Sequence, residues 1–86
     1  MTGSPATPAT PEIPYVPVRT PIRLGQFLKL ASLADSGAEG ADLIAAGDVT
    51  VDDVAEQRRG RQLRGGEVVV VDAPGGRVAA RVVAEH

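Results

Sequence analysis

The chain has 86 residues, 43% of them hydrophobic, with nine Lys and Arg against eleven Asp and Glu, for a formal net charge of −2. That length admits one small domain, and the near-neutral charge excludes a general polyanion binder that works through bulk charge alone. There is no cysteine, hence no disulfide or thiolate metal site, and one Phe, one Tyr and no Trp leave a core of Val, Leu, Ile and Ala that could hardly line a deep catalytic pocket.

Residues 1–20 differ from the rest. Pro5, Pro8, Pro11, Pro14 and Pro17 repeat with a period of three, which matches the polyproline II repeat and forbids a helix or a central strand. This stretch is expected to be a disordered Pro-rich extension, with the domain covering residues 21–86. The other reading is a ligand for an aromatic groove of the PxxP-binding kind. Ile13, Tyr15, Val16 and Val18 are candidates to dock on the domain, but the sequence supplies no partner for them. No basic-then-apolar leader opens the chain and no apolar run approaches the ~20 residues a membrane span needs, so a cytoplasmic protein is expected.

Order is expected from Ile22. Leu24, Phe27, Leu28 and Ala31 fall at i, i+3, i+4 and i+7, one stripe of an amphipathic helix with Gly25 as its N-cap and Lys29 exposed. Ala34 and Asp35 mark a break. Ser36-Gly37-Ala38-Glu39 then reads as a capping box opening a second helix over residues 37–46, with Ala38, Ala41, Ile44 and Ala45 as a narrow inner stripe and Gly47 as its left-handed terminator. Beyond Gly47 the period falls from 3.6 to 2. Val49 and Val51 share a face, Asp52-Asp53 reads as a hairpin turn, and Gly65-Gly66 leads into Val68–Val71, a strand covered on both faces. After the turn signal of residues 72–76, Arg77 and Arg81 alternate with Val78 and Val82 along a last strand. The fold class is α+β: two short helices packed on a small, mainly antiparallel sheet.

Between the strands lies Gln57-Arg58-Arg59-Gly60-Arg61-Gln62-Leu63-Arg64, which holds four of the nine basic side chains. Guanidinium groups stay charged and present a planar fork that matches phosphate, and a flexible loop at a strand edge can follow an irregular backbone. The alternative is a solvated loop neutralised by neighbouring carboxylates, which are abundant: Asp35, Glu39, Asp42, Asp48, Asp52, Asp53 and Glu56 precede it without an intervening Lys or Arg.

The run Ile22-Arg23-Leu24-Gly25-Gln26-Phe27-Leu28-Lys29, then Ser36-Gly37, Leu43 to Asp52, Arg58-Arg59-Gly60-Arg61-Gln62-Leu63 and Gly65-Gly66-Glu67-Val68 resembles the S4-type RNA-binding domain, or alpha-L motif. The Leu-Gly-Gln-Phe-Leu-Lys opening and the Arg-Arg-Gly-Arg loop look most like its short stand-alone bacterial members of the YaaA and YbcJ kind. The resemblance implies two helices on a curved sheet and a ribosome-associated partner: structured RNA, ribosomal or transfer RNA. On the matching positions it implies contacts from Lys29, Arg58, Arg59 and Arg61, with Arg23 and Arg64 beside them. Many members carry Lys or Arg in the second helix, where this chain has Gly37, Ala38 and Ala41 beside Glu39 and Asp42. RNA contact is therefore expected to concentrate on the arginine loop.

Phosphate contacts of this kind position a protein without reading sequence, and the scarcity of aromatics excludes a base-stacking platform. Catalysis is not expected, and no cofactor or metal is called for. The lone His86 is terminal, Asp48, Asp52 and Asp53 read as solvated turn residues, and the glycines at 60, 65 and 66 do not form a phosphate loop. A rival function is a protein-interaction adaptor that uses the acidic second helix and the proline-rich tail. A monomer is the expected state.

Overall fold

Residues 13–73 and 75–85 are described by the computed structural model of the protein; Pro5, Pro8 and Pro11 and the terminal His86, on which part of the sequence reading rests, lie outside them. The elements follow as β1 (Tyr15–Arg19), β2 (Ile22–Arg23), α1 (Leu24–Leu30), α2 (Gly37–Ala45), β3 (Val49–Val51), β4 (Val54–Ala55), β5 (Gln62–Leu63), β6 (Val68–Ala73) and β7 (Gly76–Glu85). One five-stranded sheet has the order β1-β7-β6-β3-β4, and β2 pairs with β5 in a separate two-stranded ribbon. All pairings are antiparallel except β1 with β7. The α+β expectation holds.

The sheet grows from β-branched residues at alternate positions. Val49 and Val51 on β3, Val69 and Val71 on β6, and Ala80 and Val82 on β7 are buried, and they meet Leu24, Phe27 and Leu28 of α1 and Ile44 of α2 in one core. Each fully buried Leu or Phe contributes on the order of 1.5–3 kcal/mol through area removed from water. Val68 and Val70 are half-buried, so the four-valine strand is covered more completely on the core side than on the other. The Asp52-Asp53 turn closes the β3–β4 hairpin with both residues at positive φ, 51° and 69°. Asp52 also caps the neighbouring strand: its Oδ1 accepts the Val68 amide at 2.9 Å.

Two helix expectations need correction. Arg23, not Gly25, is the N-cap of α1, and no side chain caps it. Carbonyls from the arginine loop do so instead, as described below. On α2 the inner face is rotated from the Ala38–Ala45 stripe: Gly40 and Ile44 are buried, Ala41 is half-buried, and Ala38 and Ala45 are exposed. A Cβ on Gly40 would lie 3.6 Å from Leu28 Cβ, Ala34 Cβ and the Gly25 carbonyl. This is where the helices touch, at a spacing that leaves room for a methyl group but for no larger side chain. The start of α2 is as expected, with Ser36 Oγ accepting the Glu39 amide at 3.1 Å; the Glu39 carboxylate, however, takes the Asp35 amide at 2.6 Å. At its end Gly47, with φ 83°, and Asp48 donate their amides back to Ile44 and Leu43.

The largest departure is at the N-terminal side. Order does not wait for Ile22, and a domain boundary between residues 20 and 21 cuts through paired structure: Tyr15–Arg19 form β1, in register with Arg81–Glu85 of β7. Val18 is buried and Val16 half-buried against the core. The proline rule bars central strands, but β1 is an edge strand, where the missing amide of Pro17 costs no ladder bond to a second neighbour. Pro14 even contributes a carbonyl, which accepts the Arg81 amide at 2.8 Å.

Candidate nucleic-acid interface

The arginine loop is not a free strand-edge loop; its backbone is the cap of α1. The Leu24 amide donates to the Arg61 carbonyl at 2.8 Å and the Gly25 amide to the Arg59 carbonyl at 3.0 Å. These bonds satisfy two of the orphan donors at the start of the helix. Further along, Ile22 and Arg23 pair with Leu63 and Gln62, and buried Leu63 pins the loop's end into the core. On the other side Gln57 Nε2 reaches the Ala45 carbonyl at the end of α2, 3.4 Å away. The Arg61 amide closes a tight turn on the Arg58 carbonyl at 3.1 Å, with exposed Gly60 inside it. The loop is therefore clamped at both ends and in the middle, and its side chains project from a fixed backbone.

That clamp brings three cations together. Arg23 at the head of α1, Lys29 in its last turn and Arg59 in the loop are all exposed and line one shallow hollow of about 480 Å³. Gln26, Gly25, Gly37 and Gly60 complete the lining, and no carboxylate contributes to it. Among the described residues none of these three cations is in an ion pair. The loop packs beside Gly25, where an added Cβ would stand at ordinary contact distance from Arg59 Cβ, 3.5 Å, and the Arg59 carbonyl, 3.6 Å.

Arg58 and Arg61 are placed differently. Both bind Glu56, the one buried charged residue among those described. Arg58 Nε donates to its Oε2 at 3.0 Å and Nη2 to its Oε1 at 3.4 Å, while Arg61 Nη1 donates to Oε1 at 3.0 Å. The hydrogen bonds to Arg58 and then Arg61 hold the pKa of Glu56 down at about 2, against an ordinary 4.5, and outweigh the opposing cost of burial. Arg58 nevertheless keeps its side chain 78% exposed, whereas that of Arg61 is 33% exposed. Arg64 is exposed but lies outside the hollow; its side chain contacts Gln62 Oε1 at 3.4 Å and its amide is held by Glu67 at 2.8 Å.

A family model described as the S4 domain matches residues 17–79. The chain belongs to the S4 domain family. A relative, the "Probable ribosome maturation protein RlbA" of Bacillus subtilis (strain 168), is 43% identical over 54 residues, which span 63% of this chain and 76% of the relative. The family match begins inside β1, in accord with the early start of order found in the structure.

In this S4 domain the residue that reading the sequence missed is Glu56. It was grouped with the acidic run before the loop, yet its amide is tied to the Val49 carbonyl at 3.0 Å and its carboxylate organises two of the six expected contact residues. The available signal was its position, two residues before the first loop arginine and in phase with the β3–β4 hairpin. A second surface also stands out: an apolar hollow of about 620 Å³ whose lining includes Ile13, Val16, Leu33, Val70 and Val78. Among the described residues no helix is long and apolar enough to cross a membrane, and no group of three or more His, Cys, Asp or Glu side chains could hold a metal ion.

Proposed function

We propose that this S4 domain is a non-catalytic module, monomeric and cytoplasmic, that binds structured RNA through Arg23, Lys29 and Arg59, with Arg58 at the rim and Arg61 and Arg64 flanking. The observation that carries the reading is the hollow formed by three cations that, among the described residues, have no ion-pair partner and no carboxylate in the lining. An array of ammonium and guanidinium groups on a clamped backbone suits the phosphates of a folded RNA read by shape. With one Phe and one Tyr in the chain, stacking on splayed single-stranded bases has little to work with. The name of the Bacillus relative, a probable ribosome maturation protein, supports ribosomal RNA or a ribosomal subunit over transfer RNA as the partner.

The test is a mobility-shift titration with a structured ribosomal RNA fragment over a salt series. Binding should weaken steeply with salt, and replacing Arg23, Lys29 and Arg59 together by Ala should flatten the slope of log K against log salt by about 3. The three side chains are exposed, so the variant should melt as the parent does. Salt-insensitive binding, or an undiminished slope in the triple variant, would instead favour a protein-interaction adaptor.

A further inference from the structure

Glu56 divides the donors of Arg58 into two sets. The Nε–Nη2 edge of the guanidinium is occupied, donating to Oε2 at 3.0 Å and to Oε1 at 3.4 Å. The Arg58 amide adds a third bond to Oε2 at 3.2 Å. Arg61 Nη1 holds Oε1 from the other side at 3.0 Å, and the backbone of Glu56 is anchored to β3 through the Val49 carbonyl. Nη1 of Arg58 has no partner among the described residues, and the side chain is 78% exposed. An arginine on an exposed loop ordinarily samples many rotamers, and ordering it on binding costs free energy. Here one edge of the fork is fixed before any ligand arrives.

We infer that Glu56 is a positioning residue for RNA binding: it touches no RNA, but holds Arg58 so that the free Nη1 end of its guanidinium is presented to a phosphate. The inference rests on the proposed RNA-binding function and specifies how one of its contacts is made. It predicts an effect opposite in sign to simple electrostatics. Removing a carboxylate raises the net positive charge beside the hollow, which on charge alone should tighten binding to a polyanion. If Glu56 positions Arg58, removing the carboxylate loosens the contact instead.

The experiment is a double-substitution cycle on the full chain, with structured ribosomal RNA as the probe and binding read at a temperature where thermal unfolding shows every variant folded. Glu56→Gln keeps the shape, but with its amide oxygen at the Oε1 position, facing Arg61 Nη1 and Arg58 Nη2, its NH2 group confronts the Nε and backbone N–H donors of Arg58 that Oε2 accepted. Binding should weaken by roughly three- to tenfold, the scale of one charge-assisted bidentate contact. In an Arg58→Ala background the same change should no longer weaken binding, because the residue through which Glu56 acts is gone. Arg58→Lys, which keeps the charge but lacks the fork, should weaken binding to a similar degree, and it decides the matter if Glu56→Gln fails to fold. Unchanged or tighter binding by folded Glu56→Gln would overturn the inference, as would a loss that persists in the Arg58→Ala background, or parent-like binding by Arg58→Lys. A parent protein that binds no structured RNA would instead overturn the proposed function.

Discussion

At Glu56 a carboxylate is held between two guanidinium groups, with its pKa near 2 when folded against an ordinary 4.5. Because the folded value is depressed, the group's contribution to stability is present above about pH 4.5 and is lost as pH falls toward 2. That contribution is of order 1–3 kcal/mol, with the lower end favoured because solvent screens the exposed Arg58. Denaturant unfolding followed from pH 6 to pH 2.5 should show the loss, and Glu56→Gln should be less stable than the parent at pH 6 while converging on it at the acid end. A second prediction concerns Asp53, whose φ of 69° is left-handed. Its neighbour Asp52 makes a bond to Val68 at 2.9 Å, but no side-chain bond compensates Asp53 among the described residues. Asp53→Gly should therefore raise the unfolding free energy by up to about 1 kcal/mol, a gain of several degrees in Tm. The arginines and this turn were legible residue by residue, because both announce themselves by type. Which arginines were already paired was not, because that depended on how a two-residue turn folds a single carboxylate beneath them.

Among the elements, those carried by a local period were readable: the Leu24–Phe27–Leu28 stripe, the serine-capped second helix, and the valine strands. Gly40 was not, because an apolar-stripe argument counts side chains, and this contact position carries none. Its would-be Cβ neighbours stand at ordinary contact distance, 3.6 Å, and the position is helical. Gly40→Ala should thus be tolerated or stabilising by up to about 1 kcal/mol, while Gly40→Leu should pry α1 from α2 and lower Tm; thermal melts of the two variants test this. The β1 strand escaped sequence reading for a different reason. Its partner β7 lies more than sixty residues away in the chain, and prolines mask it as coil unless an edge position is considered. Deleting residues 1–18 removes buried Val18 and half-buried Val16 along with most of the ladder to β7. A fall in Tm of about 10 °C or more should follow. An unchanged Tm would mean that β1 adds nothing to the fold.

For the molecule as a whole, the near-neutral net charge conceals a division of labour. Acidic side chains occupy the turn between β3 and β4 and the exposed face of α2, while three cations with no carboxylate partner among the described residues gather where the arginine loop caps α1. At a screening length of about 8 Å, such faces act partly independently on a small domain. The sequence suggested a basic lip; the fold makes it a rigid one, by using the loop's own carbonyls as the helix cap and a buried glutamate as its fastening. The most direct test of this account is a titration of the isotope-labelled protein with structured ribosomal RNA, followed by backbone amide chemical shifts. The account predicts that perturbations concentrate at residues 23–29 and 58–61 and diminish as salt is added. Perturbations confined to the apolar hollow around Val16, Leu33 and Val78, or none at saturating RNA, would contradict it.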